Sequence, residues 1–160
     1  MSSEDHYYFA YGSNMNPGRV RARNMKFDTY SSGMLEGYRL AFNKRSVKFP
    51  GAASANVEPT EGCRVEGVLY RLESADEIEV MDVFEGYPVR YRRELLPVRY
   101  GERIVTAWTY IANQEFVTHG LKPARWYLEH LLTGGPYLSH SYLQELKATE
   151  TLPDSNVEPA

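Results

Sequence analysis

The sequence predicts an α+β fold, a small curled or closed mixed β-barrel of about six strands with flanking helices. Three observations predict it. Short runs rich in tyrosine, phenylalanine and β-branched residues recur along most of the chain. Two of these runs are joined by a tight turn at Tyr100-Gly101-Glu102, as in a hairpin. The few segments with helical spacing each carry their own start and stop signals. Curling also protects the edges that six short strands would otherwise expose.

Taken in order, residues 7–11 open the sheet with an aromatic run, and Asn16 as N-cap with Pro17 at the first helical position starts a helix. Residues 34–42, 52–58 and 65–72 follow as strands, the last with clear alternation. Ser74-Ala75-Asp76-Glu77 has the form of a capping box, Ile78, Met81 and Phe84 share a helical face, and Gly86 stands where a left-handed C-terminal residue belongs. Residues 91–98 and 104–112 form the hairpin. A helix from Pro123 buries Trp126 or Tyr127 with Leu128, Leu131 and Leu132 and stops at Gly134-Gly135. A last helix starts near Ser141, with Gln144 completing a capping box.

With 160 residues, 42% of them hydrophobic, the chain is expected to form one domain over residues 1–148. Residues 149–160 lack periodicity, carry two prolines and read as a tail. A net charge of −3 offers no general basic field, which argues against nucleic acid or an anionic membrane as principal partner. The lone Cys63 excludes an intrachain disulfide and a multi-cysteine metal site. The acidic, polar start Met1-Ser2-Ser3-Glu4-Asp5 lacks the basic and apolar regions of a secretory leader, and a cytoplasmic protein is expected. His6, His119, His130 and His140 show no metal-ligand spacing, and the glycines form no nucleotide-binding pattern, so neither metal nor cofactor is expected.

Two segments carry chemistry. At Tyr8-Phe9-Ala10-Tyr11-Gly12-Ser13-Asn14-Met15 the aromatic strand stops in a small polar turn. Gly12 tolerates positive φ, and the amides of Gly12, Ser13 and Asn14 can face one concavity suited to a carboxylate or an oxyanion. At Asp82-Val83-Phe84-Glu85-Gly86-Tyr87-Pro88 a helix ends on a carboxylate. The negative end of the helix dipole and an apolar surround of Phe84, Tyr87 and Tyr91 both raise the pKa of Glu85, so it can take up a proton and return it.

With Tyr11-Gly12-Ser13-Asn14 and Glu85-Gly86 in one chain, the sequence resembles the γ-glutamylcyclotransferase-like (AIG2-like) superfamily over approximately residues 7–146. The resemblance implies an enzyme of acyltransferase or lyase type acting without cofactor. In its reaction the α-amine of a small-molecule γ-glutamyl substrate attacks its own γ-carbonyl, forms 5-oxoproline and releases an amine or amino acid. Glu85 is then the catalytic acid and base. Tyr11, Gly12, Ser13, Asn14 and Tyr91 bind substrate, the Tyr91 hydroxyl alternatively serving core packing. Tyr142 after Pro136 matches a family Pro-x-x-Tyr element only with longer spacing, and one of Arg90, Arg92 and Arg93 could meet a substrate carboxylate. Residues 43–52 form a loop near the pocket where substrate choice would lie. Leaving groups across the family include amino acids, amines and glutathione. The same residues also fit a non-catalytic small-molecule binding or interaction module, or an amide hydrolase or acyl transferase using the same pocket.

Overall fold

The computed structural model describes residues 5–153. The start at residues 1–4, where no leader is expected, and the part of the expected tail at 154–160 lie outside the described residues. Among the described residues five strands, β1 (His6–Ala10), β2 (Phe27–Arg45), β3 (Ala53–Leu72), β4 (Tyr91–Tyr100) and β5 (Arg103–Ala112), close a barrel in the order β1-β3-β2-β4-β5. Every pairing is antiparallel except the closing one, where β1 runs parallel to β5 with Tyr7 opposite Ala107 and Tyr8 opposite Trp108. The barrel is therefore mixed, as the sequence predicts, with five strands in place of six.

The difference in count lies in β3. The expected strands at 52–58 and 65–72 are one strand, because the polar stretch between them bends instead of turning. Pro59-Thr60-Glu61-Gly62-Cys63 reads as a turn in isolation, but its partner β2 continues past it. The register shift between Glu36 and Tyr38 absorbs the irregularity, with Gly37 and Gly62 both at φ +84°.

All of β1 from Tyr7 to Ala10 is buried, which explains why it reads as a continuous apolar run. Tyr7, Phe9 and Tyr11 pack with Leu35, Val65 and Val98 in a cluster of strand residues that fills the barrel. Tyr8 and Ala10 point the other way, into a cluster shared with helices α1 (Pro17–Ala22), α2 (Glu77–Glu85), α3 (Arg125–Leu132) and α4 (His140–Lys147). Helix α1 starts as predicted: the Asn16 side chain accepts from the Gly18 N–H at 3.0 Å and Pro17 takes the first position.

Two other helix starts differ from expectation. Helix α2 has Asp76 as N-cap without a side-chain cap bond, and the Glu77 carboxylate accepts from the Lys26 N–H at 2.7 Å, so the box expected at Ser74 does not close. Helix α4 is capped by Ser139, whose hydroxyl accepts from the Tyr142 N–H, and not by Ser141. The C-terminal signal of α2 is read correctly, with Gly86 at φ +70°. Residues 149–153 are tied down, the Leu152 N–H donating to the Pro123 carbonyl at 3.0 Å and Lys122 pairing with Glu150 at 3.0 Å.

Gly67 is the tightest point of the barrel wall. A Cβ there would collide with the Ala10 carbonyl and meet the Phe9 ring at 3.0 Å, at the seam where β1 joins β3. Gly67→Ala is expected to destabilise the protein by about 1–3 kcal/mol through overpacking. Thermal denaturation checks this, with a fall in Tm of about 2–4 °C per kcal/mol.

Candidate active site

The loop after β1, the end of α2, the turn from β2 to β3, the start of β4 and the first turn of α3 surround one cavity of about 540 Å³. Glu85, Tyr11, Gly12, Ser13, Asn14 and Tyr91 all line it, although they lie up to 80 positions apart in sequence (91 − 11 = 80).

The loop forms because Ser13–Met15 make a single 3₁₀ turn, the Met15 N–H donating to the Gly12 carbonyl at 2.9 Å. Gly12 is at φ −115°, so the positive φ expected there is not used. Its lack of a side chain serves close approach instead. A Cβ would lie 3.0 Å from the Tyr127 hydroxyl and 3.2 Å from the Ala55 Cβ. Gly134 plays the matching role behind the loop, where a Cβ would meet that of Met15 at 2.8 Å. The loop turns its N–H groups toward the cavity, where that of Ser13 meets the Tyr127 hydroxyl.

Asn14 connects this loop to the carboxylate. Its side chain is buried, with Nδ2 2.8 Å from the Tyr8 hydroxyl and 3.3 Å from Glu85 Oε1, while Oδ1 accepts from Arg23 at 3.1 Å. Its carbonyl accepts from the Tyr70 hydroxyl at 2.6 Å. Asn14 thus orients Glu85 as well as carrying part of the loop.

Glu85 closes α2 with its carboxyl turned into the cavity. Burial raises its pKa, and the cations Arg23, Lys44, Arg19 and Arg90 pull it back only in part. The tyrosines around it stay protonated, because burial pushes the hydroxyls of Tyr8, Tyr11, Tyr91 and Tyr127 up. Two of those protons are committed. Tyr11 donates to the Tyr110 carbonyl at 2.6 Å and Tyr91 to the Ala55 carbonyl at 2.7 Å. Toward the cavity these residues offer ring faces and hydroxyl lone pairs, and Glu85 is the acidic side chain in the lining.

Of the arginines at the start of β4, only Arg90 lines the cavity. Its guanidinium packs over Gly86 so closely that a side chain there would collide with it. Arg93 grips Asp82 with two bonds of 2.8 and 3.0 Å, and Arg92 pairs with Glu94 at 2.8 Å. Tyr142 packs in the core beneath α4, away from the cavity. Residues 46–51 form a hydrogen-bonded turn on the cavity rim, where the Ser46 hydroxyl accepts from the N–H groups of Lys48 and Phe49.

Sequence reasoning missed Arg19, Arg23, Lys44 and Tyr127. The arginines were legible as a pair four residues apart, one within the helix after the loop and one at its C-terminal end. Tyr127 reads as core from its spacing, yet its hydroxyl accepts from the Ala55 N–H at 2.8 Å inside the cavity. No local pattern marks Lys44. Among the described residues no group of His, Cys, Asp and Glu is placed to hold a metal ion, and no helix is long and apolar enough to cross a membrane.

Residues 8–129 match the family described as gamma-glutamyl cyclotransferase, AIG2-like. Among solved structures the chain is similar to a protein named gamma-glutamyl cyclotransferase, at 23% identity over 93% of this chain and 90% of that one, with a TM-score of 0.79. An uncharacterized protein from Homo sapiens superposes with a TM-score of 0.82 at 23% identity, over 99% of this chain and 95% of that one. A gamma-glutamyl cyclotransferase specific to glutathione, from yeast, shares the fold at a TM-score of 0.65 and 13% identity, over 90% of this chain and 94% of that one. No curated protein matches the chain.

The raised pKa of Glu85 has a stability consequence of fixed sign. A carboxyl that is harder to ionise in the fold than in the unfolded chain favours the fold below its unfolded pKa, near 4.5, and that contribution is lost as pH rises through the folded value. Glu85→Gln removes the cost of the charge. Its Tm is expected to match that of the unsubstituted protein at pH of about 4 and to exceed it by a few degrees, about 2–4 °C per kcal/mol, at pH 8. Thermal denaturation across pH checks this, and a less stable Gln variant at pH 8 would contradict the assigned shift.

Proposed function

The chain belongs to the gamma-glutamyl cyclotransferase, AIG2-like family, and from that premise we propose that it converts a small-molecule γ-glutamyl amide or peptide into 5-oxoproline and a free amine or amino acid, as one catalytic domain over residues 1–148 acting in the cytoplasm. The observation that carries this reading is the Glu85 carboxyl in the cavity, bridged to the Gly12–Asn14 loop by a 3.3 Å contact with Asn14.

The chemistry asks for few groups. The α-ammonium of the substrate gives a proton to the Glu85 carboxylate, and the freed amine attacks the γ-carbonyl carbon. A new C–N bond closes the five-membered ring, and the amide C–N bond to the departing group breaks as Glu85 passes its proton to the leaving nitrogen. The ring nitrogen sheds its second proton to the regenerated carboxylate or to the released amine, leaving neutral lactam and free amine. No water is consumed. Closing a ring within one well-oriented molecule is worth on the order of 7–11 kcal/mol of barrier, so the protein's task is to fold the substrate and move protons from the attacking nitrogen to the leaving one.

A carboxyl raised in pKa by burial suits both proton transfers. The N–H groups of Gly12, Ser13 and Asn14 offer donors to a negative oxygen of the substrate, either the α-carboxylate or the tetrahedral oxyanion. Arg19 and Arg23 add positive charge beside that loop. The rings of Tyr11 and Tyr91 wall the pocket.

Incubating the protein with γ-glutamyl amino acids, γ-glutamyl amines and glutathione, with 5-oxoproline detected by mass spectrometry, tests the proposal. The unsubstituted protein is expected to form 5-oxoproline, and Glu85→Gln to lose about 10²–10⁴-fold in kcat because the amide cannot carry the proton. Free glutamate in place of 5-oxoproline would make the protein a hydrolase. Full turnover by Glu85→Gln would remove Glu85 from the chemistry.

A further inference from the structure

The cavity is far more cationic than one substrate carboxylate requires. Arg19, Arg23, Lys44, Lys48 and Arg90 line it against the single acid Glu85. Four of these cations fall into two pairs, both close enough to that acid to act on its charge. The charge of Arg23 is opposed by Arg19, and Arg23 sits on the loop side, bonded to Asn14. The charge of Lys44 is opposed by Arg90, and Lys44 sits over the ring of Tyr91, the residue after Arg90. Glu85 feels all four.

Lys44 is an unusual residue for a cavity wall. It is 4% exposed, and its Nζ lies 5.5 Å from the Tyr91 ring centre and 5.9 Å from that of Phe116. None of the ion pairs among the described residues includes it. A buried ammonium held against aromatic faces, with the Glu85 charge acting on it only from beyond ion-pair distance, is incompletely offset for its desolvation.

The proposed reaction supplies a reason for two separate cation pairs around one carboxyl, one tied to Asn14 and one to Tyr91. Glu85 must reach two nitrogens, the attacking α-amine and the departing amide nitrogen. In a γ-glutamyl amino acid or peptide, each of those nitrogens is bonded to a carbon that also carries, or leads along the peptide to, a carboxylate. Two anions then flank the proton shuttle, one on each side. In a γ-glutamyl amine without an acid group only one does.

Resting on the cyclotransferase reading above, we propose that Lys44, with Arg90, binds a carboxylate of the leaving group, so that the preferred substrates are γ-glutamyl amino acids or peptides and not simple γ-glutamyl amines. Arg19 and Arg23, beside the Gly12–Asn14 loop, serve the α-carboxylate.

A matched pair of substrates tests this: γ-glutamylalanine and γ-glutamylalaninamide, which differ only in whether the leaving group bears a charge. The unsubstituted protein is expected to favour the acid by at least about tenfold in kcat/KM, as for a charge-assisted contact. Lys44→Met collapses that preference toward unity by slowing the acid alone, and Lys44→Arg keeps it. The preference also has a pH signature. Burial, Arg90 and Arg45 lower the Lys44 pKa to about 8 while Glu85 opposes them, so the ammonium is present below that pH and lost above it. The acid-to-amide ratio therefore falls above pH 8 in the unsubstituted protein and stays flat in Lys44→Arg. Taking a ratio cancels the titration of Glu85 and of the substrate amine.

Equal rates on both substrates, or a Lys44→Met variant that slows both alike, would overturn the assignment while 5-oxoproline formation left the cyclotransferase reading intact. No 5-oxoproline from either substrate by the folded protein would overturn both. If Lys44→Met does not fold, the preference of the unsubstituted protein and its pH dependence against Lys44→Arg decide the matter.

Discussion

The buried side chain of Asn14 is the joint on which the site depends. It touches Glu85 and Tyr8 through its amide nitrogen and Arg23 through its oxygen, while its carbonyl receives the Tyr70 hydroxyl. Those partners come from α2, β1, the residue capping α1, and β3. One short side chain therefore fixes the loop to the barrel and to the helix end that carries the carboxyl. A buried amide pays for its desolvation only when its donors and acceptor are matched, and here both ends are matched. The glycines on either side make the same approach possible by space. Gly12 lets Tyr127 and Ala55 close on the loop, and Gly134 lets α3 press on Met15.

Electrostatics then follow from enclosure. Glu85 lies among tyrosines and cations, and desolvation outweighs the pull of the arginines and Lys44, so its pKa goes up. Arg23 and Lys44 bear the opposite penalty, burial lowering both, with Lys44 held down to about 8. A cavity that holds one acid of raised pKa amid surplus positive charge suits an anionic ligand. The tyrosine hydroxyls, pushed up and largely bonded to backbone carbonyls, fix the shape of the pocket without competing for the proton.

Much of this was legible in the sequence where the signals are local. The aromatic run into Gly12-Ser13-Asn14, the Asn16-Pro17 helix start, the left-handed Gly86 after Glu85 and the hairpin at Gly101-Glu102 each depend on neighbours within a few residues, and each is found. What failed depended on distant partners. The continuity of β3 through Pro59 to Cys63 is imposed by β2. Gly12 reads as a left-handed turn residue until Tyr127 occupies the space where a side chain would go. The helix expected to start near Ser141 is capped by Ser139 instead, which the distant carboxylate of Glu66 holds by accepting from its N–H and hydroxyl at 2.7 and 2.8 Å. Lys44 shows no motif at all, because its meaning comes from the aromatic rings and the arginine that the barrel brings around it.

The central claim is that enclosure, by raising the pKa of Glu85, turns it into a group able both to accept and to release a proton. The most direct measurement is a carbon-13 NMR titration of the Glu85 side-chain carboxyl, assigned by its loss in Glu85→Gln. The account predicts a midpoint above the ordinary glutamate range, as burial requires. A midpoint at or below that range would mean that the surrounding cations dominate, leaving Glu85 a fixed anion and not a carrier of protons.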